Sequence, residues 1–326
     1  MHTIIVRNAA GSEAMAGVFD TDIILQPNHR IHADYAHHRH IYGTGVGVAV
    51  LDTGVYPRSD FFHYPQQSQI LSNRILHFQD FVNGHRKAYD DSGHGSHICG
   101  KIASSSLLAE DEYLGIAPGC SLIVLKVLDK NGNAPVSTFL KALRWISQYH
   151  KTYNIRIVNI SIGTNVSHSS SHHLLTEAVE ALWNQGLIIC ASAGNNGPKP
   201  GSISSPGDSC SIITVGASDD NLSALTHGAR RLYSGRGPTS CQNVKPEIVA
   251  PGSQIISCSN QPQGYAVKTG TSMSTALVSG ALALLLEQEP ALTNQDVKNR
   301  LHKCARRLDL PHFQQGWGLL DISRLL

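Results

Sequence analysis

Charge is scarce in this chain. Lys, Arg, Asp and Glu supply 15% of its 326 residues, against about a quarter in an ordinary globular protein. The 26 basic and 24 acidic residues nearly cancel, for a net charge of +2. Basic residues come as isolated pairs, Arg230 with Arg231 and Arg306 with Arg307. A nucleic-acid partner would ask for a basic stripe, so none is expected. Long apolar runs are missing as well. The longest, Ala281–Leu286, is far short of the ~18 residues of a membrane-spanning helix, and no membrane association is expected. The opening "MHTIIVRNAAGSEAMAG" has no apolar stretch of signal-peptide length. A cytoplasmic location is therefore expected, with secretion after N-terminal processing left open.

Other absences concern metals and cofactors. The seven cysteines include no C-x-x-C pair, which excludes zinc-ribbon and thioredoxin-type motifs. Several sit in apolar surroundings, as in "LIICASAG", and read as buried free thiols. "GTGVGVAV" (43–50) has glycines, but they precede the strand and lack G-x-G-x-x-G spacing, so it is no dinucleotide fingerprint. The histidine-rich stretches at 32–40 and 167–173 lack H-E-x-x-H and finger spacings. They read as polar surface.

What is present is a core. Apolar residues make up 41% of the chain. Strand-like runs at 45–52, 120–129, 155–163, 187–194 and 211–218 are nearly continuous in apolar residues. Between them lie helical patterns at 136–149 and 173–186, with a further helix at 293–305 capped by Thr293. Apolar strands separated by helices indicate an α/β protein with a mainly parallel central sheet covered on both faces. No internal repeat or linker divides it. One domain is expected over 26–326, after an N-terminal extension at 1–25.

Ligands of such sheets sit at the carboxyl ends of the strands. There the chain places Asp52 in "AVLDTGV" and a glycine-rich turn, "SAGNNG" (192–197). "DSGHGSHICG" (91–100) sets His94 between two glycines at the start of an apolar stretch. His94 and His97 read either as a metal pair or, more simply, as one catalytic and one packed histidine. "TGTSMS" (269–274) opens an apolar helix with Ser272 in its first turn. Ser272 is a helix cap or a nucleophile. A serine hydroxyl becomes nucleophilic when a base takes its proton and a carboxylate orients that base. Asp52, His94 and Ser272 supply the three parts. Asn195 and the Ser272 backbone N–H supply donors for a tetrahedral oxyanion.

Read together, these segments resemble the subtilisin family of serine proteases over roughly residues 40–323. "VAVLDTGV", "SGHGSHICG", "ASAGNNG" and "GTSMS" match its aspartate, histidine, oxyanion and nucleophile motifs, in the family's order. So do "YLGIAPGCSLIVLKVLD", "SGRGPT" and "KPEIVAPG". The resemblance implies a three-layer subtilisin-like fold and a serine endopeptidase most like the intracellular bacterial members. Asp52 would orient His94, the general base and acid; Ser272 would form the acyl-enzyme; Asn195 would donate to the oxyanion. Polypeptide substrate would pair in extended form with Asn131, Gly132, Asn133, Ala134, Ser161, Ile162 and Gly163. Ala193 and Gly194 would wall the primary side-chain pocket, with its floor near 201–209.

Three departures stand out. Ala276 replaces the family's usual proline after the nucleophile. The loop at 104–115 does not match the family's calcium loop, although Asp60 matches one ligand and Glu110, Asp111 and Glu112 could take a cation differently. A structural calcium ion is thus left open, and the chemistry itself needs no cofactor. The 1–25 extension is much shorter than a secreted relative's prosegment and is expected to be autoinhibitory. The competing function is a non-proteolytic peptide-binding regulator on the same fold. An ester or lipid hydrolase is disfavoured because "GTSMS" is no G-x-S-x-G elbow.

Overall fold

In the computed structural model, residues 21–62, 72–163, 170–220, 232–240 and 245–326 are described, without the side chains of 21–24 and 170–172. In chain order the elements are helices α1 (Thr21–Arg30) and α2 (Asp34–His37), strands β1 (Gly47–Asp52) and β2 (Ile75–Asp80), and helix α3 (His94–Ala103). A small hairpin, β3 (Leu107–Ala109) and β4 (Glu112–Tyr113), precedes β5 (Ser121–Lys126), α4 (Val136–Tyr149), β6 (Ile155–Ile160) and α5 (Ser170–Asn184). Strands β7 (Ile188–Ser192), β8 (Ile213–Ala217) and β9 (Ile248–Ala250) follow. A second hairpin, β10 (Ile255–Cys258) and β11 (Tyr265–Lys268), leads into α6 (Thr271–Gln288), then α7 (Asn294–Cys304), α8 (His312–Gln315) and α9 (Ile322–Leu325).

Seven strands form one parallel sheet in the order β2-β5-β1-β6-β7-β8-β9. The inner strands are buried residue by residue; β1, β5 and β7 have no exposed position. That is why their sequences read as continuous apolar runs rather than alternating ones. Helices α3 and α6 pack together beside the sheet, and α4 packs on α5. Helix α6 is buried from Thr271 through Leu286, as expected of a helix apolar all round. The chain winds outward from β1, returns through β5, then crosses to β6 and continues the other way. The crevice opens beside β1, where winding reverses.

The expected α/β class, the five expected strands and the helices at 136–149 and 293–305 are all present. Thr293 caps α7 in a capping box with Asp296. Edge strand β2 and the β10–β11 hairpin are additions. Much of β2 and all of β11 sit half-buried, and β10, though buried, is only four residues long, so no long apolar run announces them. The expected boundary at residue 25 falls inside α1. There Leu25 is 2% exposed and the Asn28 side chain donates to the Tyr113 carbonyl oxygen (2.9 Å). Residues 1–20 lie outside the described residues. Cys99, Cys120, Cys190 and Cys258 are buried free thiols and Cys304 is a free thiol at intermediate burial. Cys210 corrects the reading of the cysteines: it is disulfide-bonded, and Cys241 lies outside the described residues.

Candidate active site

Asp52 is the last residue of β1 and fully buried. Its Oδ1 accepts from the Thr53 backbone N–H (2.8 Å) and from His94 Nδ1 (2.7 Å). His94 is the first residue of α3, its side chain 26% exposed. Two contacts set it there. Gly95 packs so closely on the turn after β1 that a Cβ would lie 2.1 Å from the Gly54 carbonyl oxygen. Asp90, also buried, accepts from Thr53 Oγ1, the Ser92 and Gly93 N–H groups, and both the N–H and hydroxyl of Ser96. Burial works to raise the Asp90 pKa, but these donors hold it below the usual carboxylate value. The two segments carrying Asp52 and His94 are thus tied through one ionised side chain.

His97, the other half of the considered metal pair, is fully buried, with Nε2 against the Ile255 and Ala266 carbonyl oxygens (3.0 and 3.1 Å). Burial and the Lys268 charge push its pKa well down, so it packs as a neutral ring. No cluster able to hold a metal occurs among the described residues. The expected calcium ligand Asp60 does not fit a cation. Its Oδ2 accepts from Arg58 Nε (2.6 Å), and its Oδ1 from the Ser104 and Ser106 hydroxyls (2.8 and 2.7 Å). Glu112 is paired with His29 at 2.5 Å.

Ser272 lies in the first turn of α6, where backbone N–H groups have no intrahelical partner. Its hydroxyl donates to the Ser161 carbonyl oxygen (2.8 Å). Asn195 Oδ1 accepts from Thr271 N (3.0 Å) and Thr271 Oγ1 (3.1 Å). What this side chain can offer an incoming oxygen is therefore its NH2. Ala276 is in the second turn of α6, not the first, and its N–H belongs to the helical ladder.

His94, Ser272 and Asn195 line one cleft of about 420 Å³, together with Asn131, Gly132, Ser161, Ile162, Gly163 and Gly194. Asn133 and Ala134 line an adjoining cavity of about 190 Å³, with Val136 and Phe139. Ala193 lines neither. It is fully buried, its carbonyl accepting from Ser204 N (2.9 Å), so it backs the wall rather than forming it. Ser192 and Ser204 line the cleft instead. Ser204 comes from the stretch expected to floor the pocket. It packs so tightly that a Cβ on Gly194 would fall 2.1 Å from its hydroxyl. Lys268 also lines the cleft. The sequence reading missed it, because a lone lysine four residues before the serine carries no motif.

Residues 43–318 match the model of the subtilase family. The chain belongs to the subtilase family. The matched region is a serine-protease domain with the α/β fold described above. It is 39% identical over 280 residues to serine protease AprX of Bacillus subtilis, covering 79% of this chain and 61% of that protein. The chain thus spans less than two thirds of that relative's length. Subtilisin Savinase of Lederbergia lenta is 32% identical over 292 residues, covering 90% of this chain and 94% of Savinase. A crystal structure of a cold-adapted subtilisin-like serine proteinase superposes with a TM-score of 0.67 at 26% identity, covering 86% and 90% of the two chains.

Proposed function

We propose that this subtilase is an active endopeptidase that cleaves polypeptides through an acyl-enzyme on Ser272. The observation that carries the reading is the 2.7 Å contact between His94 Nδ1 and buried Asp52, on the wall of the cleft that Ser272 enters. Asp52 holds the imidazole by Nδ1–H, leaving Nε2 as the base. Ser272 Oγ turns from the Ser161 carbonyl to attack the scissile carbon as His94 takes its proton. The new oxyanion meets the Asn195 NH2 and the Ser272 N–H. His94 then protonates the departing amine, and water repeats the sequence on the ester. An extended substrate main chain would lie between 131–134 and 161–163. No step needs a metal or cofactor.

Exposure to a fluorophosphonate serine probe, followed by peptide mass mapping, tests this. An adduct on the Ser272 peptide, absent in Ser272→Ala, is expected. No adduct would leave the peptide-binding regulator. Restraint by the N-terminal extension is tested by truncation before Thr21, which keeps α1 whole. A cut at Leu25 would remove half of it.

A further inference from the structure

Among the described residues that line the cleft, Lys268 is the one with a permanent charge. It differs from the other buried or part-buried lysines. Lys126 donates to Thr53 O, Leu128 O and Asp91; Lys245 to Ile212 O, Thr214 Oγ1 and Glu247; Lys298 to Ser211 O and Ile212 O. Even Lys101 reaches a carbonyl, that of Leu114. The Lys268 ammonium makes no hydrogen bond or ion pair among the described residues. Burial lowers its pKa, against the pull of the Asp90 and Asp52 charges. Those two carboxylates are already engaged, Asp90 by the Thr53 and Ser96 hydroxyls and three backbone amides, Asp52 by His94 and Thr53 N. They temper the charge without using its donors. A half-buried ammonium with unused donors is costly to keep unless something else accepts from it.

Position identifies what would accept. Lys268 ends β11, and the β10–β11 hairpin packs on α3, its Ile255 and Ala266 carbonyls holding His97. Lys268 therefore enters the cleft from the His94 side. The segments 131–132 and 161–163, which would hold the acyl part of the substrate, line it too. In serine-protease chemistry the histidine hands its proton to the leaving amine. The leaving segment thus departs past His94, on the side where Lys268 stands. The geometry points to Lys268 as a specificity-determining residue that pairs with an acidic side chain in the first two positions after the scissile bond. This rests on the endopeptidase reading above.

Two experiments test it independently. The first compares kcat/KM for peptides identical except for Glu, Gln or Lys at the first and second positions after the bond. An exposed to half-buried ion pair is worth about two- to fivefold. Wild type should favour Glu over Gln by about that factor and disfavour Lys. Lys268→Gln should flatten the series and Lys268→Glu invert it. The Glu preference should shrink in high salt. The second measures binding of the same peptides to Ser272→Ala by calorimetry, which needs no turnover. Tighter binding of the Glu peptide, lost in Ser272→Ala with Lys268→Gln, supports the assignment even if no cleavage occurs. An order of preference, in rate and in binding, that is the same with and without Lys268 overturns it. Failure of probe labelling, by contrast, overturns the endopeptidase reading.

Discussion

Ser161 and Ser272 hold each other: the Ser272 hydroxyl donates to the Ser161 carbonyl oxygen at 2.8 Å, and the Ser161 hydroxyl donates back to the Ser272 carbonyl oxygen at 3.2 Å. Ser161 Oγ also accepts from Asn159 Nδ2 (2.7 Å). Ser161→Ala would strip one bond from each neighbour and leave buried polar atoms without it. A loss of about 1–3 kcal/mol is expected, read as a lower Tm, with a small drop in kcat. An unchanged Tm would mean that the reciprocal pair is not stabilising.

Asp52→Asn should preserve the fold and lower kcat by about 10⁴-fold, since an amide cannot hold the Nδ1–H tautomer of His94. Asn195→Ala should lower kcat by about 10²–10³-fold with little change in KM, because its NH2 acts on charge that appears only in the transition state. Steady-state kinetics on the two variants check both. A regulator would show neither loss, having no turnover to lose.

Acid should destabilise the protein through His37. Burial pushes its pKa down from 6.5 to about 4, while its ring contacts the Ile116 carbonyl oxygen (2.9 Å) and meets Tyr113 edge-on. Glu112 and Asp34 pull the pKa up and His38 pushes it further down. Between pH 6.5 and 4 the unfolded chain binds a proton that the folded one refuses. Stability is therefore complete above pH 6.5 and falls on acidification to about pH 4, by roughly 3 kcal/mol for this group. His37→Phe, which cannot titrate, should flatten Tm against pH in that window. An equally steep profile in the variant would assign the acid sensitivity elsewhere.

The guanidinium of Arg58 stands against Asp60 where the family resemblance suggested a calcium ion. Burial works to raise the Asp60 pKa, and Arg58 with the Ser104 and Ser106 hydroxyls holds it below the usual value. An excess of chelator should leave Tm unchanged. Arg58→Ala should cost about 3–5 kcal/mol by stranding a buried carboxylate. A Tm that fell with chelator would place a structural cation elsewhere in the protein.

Ala276→Pro would remove the bond from the residue 276 N–H to the Ser272 carbonyl, one turn back in α6. That carbonyl belongs to the nucleophile, so the effect should appear as a modest shift in hydrolysis and in acyl transfer to added amines. If neither moves, the alanine has no bearing on the nucleophile.

Much of the architecture was readable because buried parallel strands leave uninterrupted apolar runs, as at Val48–Leu51 and Ile188–Ala191, and because their polar endings stand out. Asp52, His94, Asn195 and Ser272 were readable as motifs. Strand order was not, since nothing local in β5 says that it returns between β2 and β1. Ala193 was misplaced because a sequence shows that a residue is small, not which way it faces. Lys268 was invisible because its meaning lies in its place on the cleft wall and in the absence of a partner among the described residues, which only the folded arrangement reveals.

Helix α6 carries Ser272 in its first turn and is enclosed on every side down to Leu286. Such a helix has no outer face from which to fray. Beyond its first turn, its amides should exchange with solvent only when the whole domain opens. Loss of the nucleophile's geometry and loss of the fold should then be one event. Heat inactivation would follow global unfolding, with no folded but inactive state before it.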